Sequence, residues 1–220
     1  MGDVLAIVDL DGTLVDRDAG FARWNEEFCG DRDLGPAARA WIAELDVRFR
    51  RDRQRFFVEL VDGLGLQEQP RALWVRYRSV MPSLATAFPG VAEGLRELRA
   101  AGWVLAVLSN GQRDNQQGKL EAAGLLEHFV VCRFSGESGL RKPDPAAFGD
   151  VVRAAGAGGS SAVWMVGDDP ELDVVGAQQL GLSTMWIAHG RGWPTGLAEP
   201  TRSAGSPAQA LQALAGSGPS

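Results

Sequence analysis

Two aspartates, Asp9 and Asp11, stand one residue apart at the end of the chain's first apolar run, Ala6-Ile7-Val8. Gly12 and Thr13 follow them. The run reads as a short buried strand entering a tight turn. Alternate residues of a strand project to the same side, so both carboxylates reach one site if the extended geometry persists. Two carboxylates at one strand end gather negative charge where burial is costly. A cation, or employment in proton transfer, relieves that cost.

Other chemistry-bearing residues stand behind two further apolar runs. The run from Val104 to Leu108 leads into Ser109-Asn110-Gly111, and the run from Ala162 to Val166 leads into Gly167-Asp168-Asp169, with Asp173 beyond. Between them lies a stiff loop, Arg141-Lys142-Pro143-Asp144-Pro145, ahead of an amphipathic segment. In open α/β sheets, ligands bind outside the carboxyl ends of the parallel strands. Three strand ends therefore offer Asp9 and Asp11, Ser109, and Asp168 to one site. Lys142 gains weight from its rarity, because the chain's only other lysine is Lys119.

The elements that must position these residues follow from the apolar spacing. From about Asp16 to Leu84 the pattern is helical throughout. Phe21, Trp24 and Phe28 form one stripe; Trp41, Ile42, Leu45 and Phe49 a second; Phe56, Phe57, Leu60, Val61 and Leu64 a third. Pro36 and Pro70 suit the first turns of helices, while Gly63 and Gly65 read as a helix end and turn. After Phe88-Pro89-Gly90, strand and helix alternate. Helices are expected near 91–100, 115–123, 145–155 and 173–180, and strands at 103–108, 129–133, before Asp168, and at 183–187. The fold class is therefore α/β: a Rossmann-like, doubly wound parallel sheet with an inserted all-helical domain. Residues 1–15 and 85–200 form the core, 16–84 the insert, and 201–220 a tail. Ser206-Pro207 opens one short helix of that tail, carrying Leu211 and Leu214, and the last residues are expected to fray.

Composition excludes several classes. The chain has 220 residues, 45% of them hydrophobic, enough for a real core. A net charge of −6 argues against generic affinity for nucleic acid. No apolar stretch can span a bilayer, and no basic segment precedes a long apolar one at the N-terminus, so neither membrane nor secretory route is expected. Cys29 and Cys132 lack metal-site spacing and read as reduced thiols of a cytoplasmic protein, Cys132 inside a buried strand. Nothing in the sequence chooses between monomer and homodimer.

Taken in order, Asp9-Leu10-Asp11-Gly12-Thr13-Leu14, Ser109, Lys142 before Pro143, and Gly167-Asp168 with Asp173 downstream resemble the four signatures of the haloacid dehalogenase-like (HAD) hydrolase superfamily. The resemblance covers most of the chain. It implies a phosphatase for a small phosphorylated metabolite, with Asp9 as nucleophile and Asp11 as general acid and base. It also implies Mg²⁺ held by Asp9, Asp168 and the backbone carbonyl of Asp11. Ser109 and the Asn110 amide would hold the phosphoryl group, and Lys142 would pair with Asp9 and the phosphoryl oxygens. Thr13 would lock the turn, and Asp169 and Asp173 would orient ligands, with Asp169 equally suited to capping a helix.

The insert would then be a mobile cap. Its Arg48, Arg50, Arg51, Arg53 and Arg55 either meet an anionic substrate or form a solvated face. Rival chemistries leave marks that can be checked. Relatives that dehalogenate have no acid at the position of Asp11. Phosphonate hydrolysis uses a cap lysine, and the insert has none. A sugar-phosphate mutase wants a cap group to shuttle protons, and the insert has no histidine. A non-catalytic binder would have lost an acid or the lysine.

Overall fold

The computed structural model describes residues 4–157 and 162–216. By its internal contacts the chain divides into two units, Met1–Asp16 with Thr86–Ser220, and Arg17–Ala85. The first unit is built on a six-stranded parallel sheet. In chain order its elements are β1 (Val4–Val8), β2 (Val15–Asp16), then, past the helical unit, β3 (Thr86–Ala87), α5 (Val91–Ala100), β4 (Trp103–Ser109) and α6 (Arg113–Ala122). There follow β5 (Val131–Phe134), α7 (Ser135–Ser138), α8 (Pro145–Ala154), β6 (Val163–Gly167), a π-helical turn (Pro170–Val175), α9 (Gly176–Gln178), β7 (Ser183–Ile187), β8 (Arg202–Ala204) and α10 (Pro207–Ala215).

Strand order is β5-β4-β1-β6-β7-β8. The chain first builds outward from β1 through β4 to β5, then returns to the other side of β1 for β6, β7 and β8. The reversal leaves a crevice at the carboxyl ends of β4, β1 and β6, the place where such sheets bind ligands. Register puts the three ends level: Val8 lies opposite Val107 on one side and Val166 on the other. Every residue of β1 is buried, as expected for a central strand covered on both faces. On one face Leu5, Ile7, Ala106, Leu108 and Met165 pack with Ala147, Phe148 and Val151 of α8. Elsewhere in the unit, Leu211 of α10 seats against Gly94 of α5, where a Cβ would come within 2.7 Å of the leucine Cβ.

The second unit is helical: α1 (Arg17–Gly30), α2 (Pro36–Arg48), α3 (Arg53–Leu64) and α4 (Pro70–Leu84). Pro36 and Pro70 open their helices, Asp52 caps α3 by accepting from the Arg55 amide at 3.0 Å, and Gly65 closes α3 at φ 61°. The three expected stripes converge on one core with Leu73, Tyr77 and Met81. Trp24 stacks on Phe28, and other aromatic pairs meet edge-on: Trp24 and Tyr77 stand 5.0 Å apart, Phe56 and Phe57 4.9 Å. Gly63 does not end a helix. It lies inside α3, where a side chain would strike the Trp41 ring.

Other expectations need correction in detail. The helix expected over 173–180 is a π-helical turn running into three α-helical residues. β2 and β3 form a two-residue antiparallel ribbon that the apolar pattern did not announce. β8 joins the sheet edge beside β7, and α10 is the short helix expected after Ser206, whose hydroxyl accepts from the Gln209 amide. The last residues, expected to fray, include 217–220, which lie outside the described residues. Both cysteines are free, but Cys132 in β5 is only partly buried, because β5 is an edge strand. No described helix is long and apolar enough to cross a membrane.

Candidate active site

Asp9 leaves β1 with its amide bonded to Val166 O at 2.9 Å, which extends the β1–β6 pairing by one residue. Leu10 O then accepts amides from Thr13, Leu14 and Val15, folding the chain into a tight loop. Gly12 sits in that loop at φ 85°. A Cβ there would come within 2.7 Å of the Asp168 carboxylate, so the position requires glycine twice over, for its backbone and for the approach of the acid. Gly167 has the same relation to Asp173, whose carboxylate would lie 2.2 Å from a Cβ.

These close approaches bring Asp9, Asp168 and Asp173 together, with one carboxylate oxygen of each within 4.8 Å of the others. Lys142, buried to 3% exposure, donates to Asp9 Oδ1 and to Asp173 Oδ1, the latter at 2.6 Å. Its backbone is held by a reciprocal pair: Asn110 Nδ2 donates to Lys142 O and Lys142 N to Asn110 Oδ1, both at 2.9 Å. The Asn110 side chain thus ties the end of β4 to the lysine loop. Asp173 Oδ2 accepts the Asp169 amide at 3.0 Å. The Asp169 carboxylate caps the turn beginning at Pro170, accepting from Glu171 and Leu172 amides at 3.0 Å each. Of the two roles open to Asp169 from sequence, the geometry displays the cap.

Asp11 stands apart from the three acids. Its carboxylate accepts from Lys119 Nζ at 2.7 and 3.0 Å and from Gln116 Nε2 at 3.1 Å. Gln116 Nε2 also donates to Ser109 Oγ at 2.7 Å, and its Oε1 accepts from Lys119 at 2.9 Å. Two residues of α6 therefore join Asp11 to Ser109. Neither was singled out from the sequence for the site, although Lys119 is the other lysine and lies one helical turn after Gln116. Thr13 is buried, its amide donates to Leu10 O, and its hydroxyl finds no partner among the described residues. Two more residues come from the loop after β7. Arg191 Nη2 donates to Asp168 Oδ2 at 3.0 Å and to Asp168 O at 2.9 Å. His189 Nε2 lies 2.7 Å from Gly12 O.

The acids outnumber the cations that neutralise them. Burial holds the Asp9 carboxyl well above the usual range; Lys142 pulls it back, while Asp173 and Asp168 push it further up. Burial and Asp173 raise Asp168 to about 6, against the pull of Arg191 and His189. Asp173 is likewise raised by burial and restrained by Lys142. Burial would depress the Lys142 ammonium, but Asp173 and Asp9 more than reverse this and hold it above the ordinary lysine value. Three carboxylates, two buried and one half-buried, against one lysine and one arginine at the rim leave a deficit of positive charge. All their donor atoms are hard oxygens, so the cluster fits Mg²⁺ better than a softer metal.

Comparison with known proteins adds an independent finding about the chain as a whole. A family model described as haloacid dehalogenase-like hydrolase matches residues 5–181. The chain is 39% identical over 142 residues to a phosphoserine phosphatase of Thermus thermophilus, covering 63% of this chain and 55% of that protein. It is 34% identical over 134 residues to the pyrimidine 5'-nucleotidase YjjG of Escherichia coli, covering 60% and 59%. The chain thus spans somewhat more than half the length of these two relatives. A phosphoglycolate phosphatase of Mesorhizobium japonicum is 27% identical over 86% of this chain and 85% of its own. Among solved structures, YfnB of Bacillus subtilis, described as a HAD-hydrolase bound to magnesium, superposes with TM-score 0.84 at 20% identity over 97% of both chains. At that identity the likeness establishes the fold.

Proposed function

The chain belongs to the haloacid dehalogenase-like hydrolase family, and from that premise we propose that it is a Mg²⁺-dependent phosphatase of small phosphorylated metabolites, working through a phosphoryl-aspartate. The observation that carries the reading is the convergence of Asp9, Asp168, Asp173 and Lys142 at level strand ends with positive charge in deficit. Curated relatives named as phosphatases support the same chemistry. When bound by Asp9, Asp168 and the Asp11 carbonyl, Mg²⁺ would supply the missing charge and screen the incoming phosphate dianion from the carboxylates.

The chain's own residues account for the rest. Lys142 holds Asp9 Oδ1, which leaves Oδ2 to attack phosphorus. The new Asp9–phosphorus bond forms as the ester P–O bond breaks. Asp11, in its protonated form, gives its proton to the departing alkoxide. It then takes a proton from the water that attacks the phosphoryl-aspartate, which releases phosphate and restores Asp9. Because Ser109 Oγ already accepts from Gln116, its own proton is free to donate to a phosphoryl oxygen. Asn110 holds Lys142 in place through its side chain, and its backbone N–H serves the phosphoryl group beside Ser109. The helical unit is the cap, which supplies substrate contacts. An acid at Asp11 favours phosphoryl transfer over carbon–halogen cleavage.

The test is phosphate release from p-nitrophenyl phosphate with and without Mg²⁺. The parent should release phosphate only with the metal, and Asp9→Asn should abolish release. Undiminished turnover by Asp9→Asn would remove this mechanism.

A further inference from the structure

The helical unit contains a second cluster of buried charge, in which two arginines converge on one acid. Arg17 at the start of α1 forks onto both oxygens of Asp46 in α2. Arg53, the first residue of α3, adds its Nη1 to Asp46 Oδ1 at 2.6 Å. Asp46 is 4% exposed, and the Arg53 side chain 19%. Two guanidinium groups thus share one carboxylate whose oxygens are both engaged. Arg50 and Arg17 both meet Asp18 at the surface. Arg53 carries its charge among four aromatic rings.

The surroundings of Arg53 define how that charge can be used. Its guanidinium carbon lies 4.0 Å from the Phe56 ring centroid and 5.4 to 5.9 Å from those of Phe21, Phe57 and Tyr77. Aromatic rings satisfy the cation's faces but accept nothing from its in-plane N–H groups. Nη1 is taken by Asp46. Nε and Nη2 are buried and find no hydrogen-bond partner among the described residues. These two nitrogens form one edge of the guanidinium, the edge that matches two oxygens of a carboxylate or phosphate. Burial also depresses the guanidinium from its ordinary value, which marks a cation short of compensation.

We propose that the helical unit binds a small-molecule oxyanion, a carboxylate or a phosphate, in two-point contact with the Nε–Nη2 edge of Arg53. Arg17 and Asp46 position that edge, and the aromatic rings keep water from competing for it. The proposed site rests on groups within the helical unit alone and does not depend on the reaction assigned to the acid cluster.

Nuclear magnetic resonance on the full chain tests it directly. The Arg53 Nε–Hε resonance is assigned by its loss in Arg53→Lys and followed while malonate or inorganic phosphate is added, in the Asp9→Asn background and without metal. Saturable movement of this resonance is expected, and the probe giving the larger shift identifies carboxylate or phosphate as the preferred group. Arg53→Lys keeps the charge but not the fork, and should weaken binding about tenfold to a hundredfold by calorimetry while far-ultraviolet dichroism stays at the parent's. A resonance unmoved by either anion, in the parent as in Asp9→Asn, would overturn the proposal, as would equal affinity in a folded Arg53→Lys. Because the readout is binding at a named nitrogen, its outcome is separate from that of the phosphatase assay.

Discussion

The acid cluster at the strand ends and the arginine cluster of the helical unit are mirror images in charge. In the first, Asp9, Asp168 and Asp173 outnumber Lys142 and the rim Arg191; in the second, Arg17 and Arg53 converge on Asp46. Each places like charges where water cannot screen them, and neither arrangement is one that folding alone would favour. The difference lies in how each is held. Asp9 and Asp168 follow two strand ends locked by sheet register, and Asp173 comes from the turn after β6, with glycines at 12 and 167 letting side chains approach the backbone. The arginines come from two helices, α1 and α3, held by aromatic packing and by one shared carboxylate from α2. On the two readings proposed above, the first awaits a cation and the second an anion.

Substitutions can break this symmetry, beginning with the largest effect. Asp9→Asn removes the attacking carboxylate and should lower kcat roughly a thousandfold or more, with folding retained. Asp11→Asn should lower kcat by about 10²–10⁴. That loss should shrink for substrates with good leaving groups, which need little protonation; a loss independent of the leaving group would deny Asp11 its role. Lys142→Met should reduce kcat by about 10² or more and also lower the melting temperature without metal, because Asp9 and Asp173 lose their shared cation. Lys119→Met should cost about tenfold to a hundredfold in kcat with KM little changed, if Lys119 acts by holding Asp11. A change confined to KM would assign Lys119 to binding instead.

The charge deficit also predicts how stability follows pH. Asp168 titrates at about 6 in the folded chain, above its ordinary 3.8, and Asp9 and Asp173 are shifted in the same direction. A carboxyl raised on folding stabilises the protein below its unfolded value, and that contribution is lost as pH rises through the folded value. Metal-free protein should therefore melt a few degrees higher near pH 5 than near pH 7.5. Mg²⁺ should raise the melting temperature clearly at the higher pH and little at the lower, where protons occupy the same oxygens. Identical metal responses at both pH values would count against Mg²⁺ binding at these carboxylates.

Much of the sheet site was legible in the sequence. Asp9, Ser109 and Asp168 each follow an apolar run, and a parallel sheet obliges such positions to share an edge. Lys142 was marked by its proline loop and by the scarcity of lysine. Contacts made by side chains far apart in sequence were not legible. Lys119 reaches Asp11 across 108 positions, and Arg191 reaches Asp168 across 23. Apolar periodicity records which face of α6 is buried, yet says nothing of which polar group on that face finds a partner. The same limit hid the arginine cluster. The run from Arg48 to Arg55 is plain in the sequence, but only the folded helices turn Arg53 inward to the aromatic rings while Arg55 stays on the surface beside Glu59.

The central claim concerns Asp9, and the most direct measurement is to quench the working enzyme rapidly in acid and map the adduct by mass spectrometry. With Mg²⁺ and a turning-over phosphomonoester, the account predicts a phosphoryl group on the carboxylate of Asp9, absent in Asp9→Asn. Turnover with the phosphoryl group on another residue, or with none under conditions where breakdown of the adduct limits the rate, would contradict it.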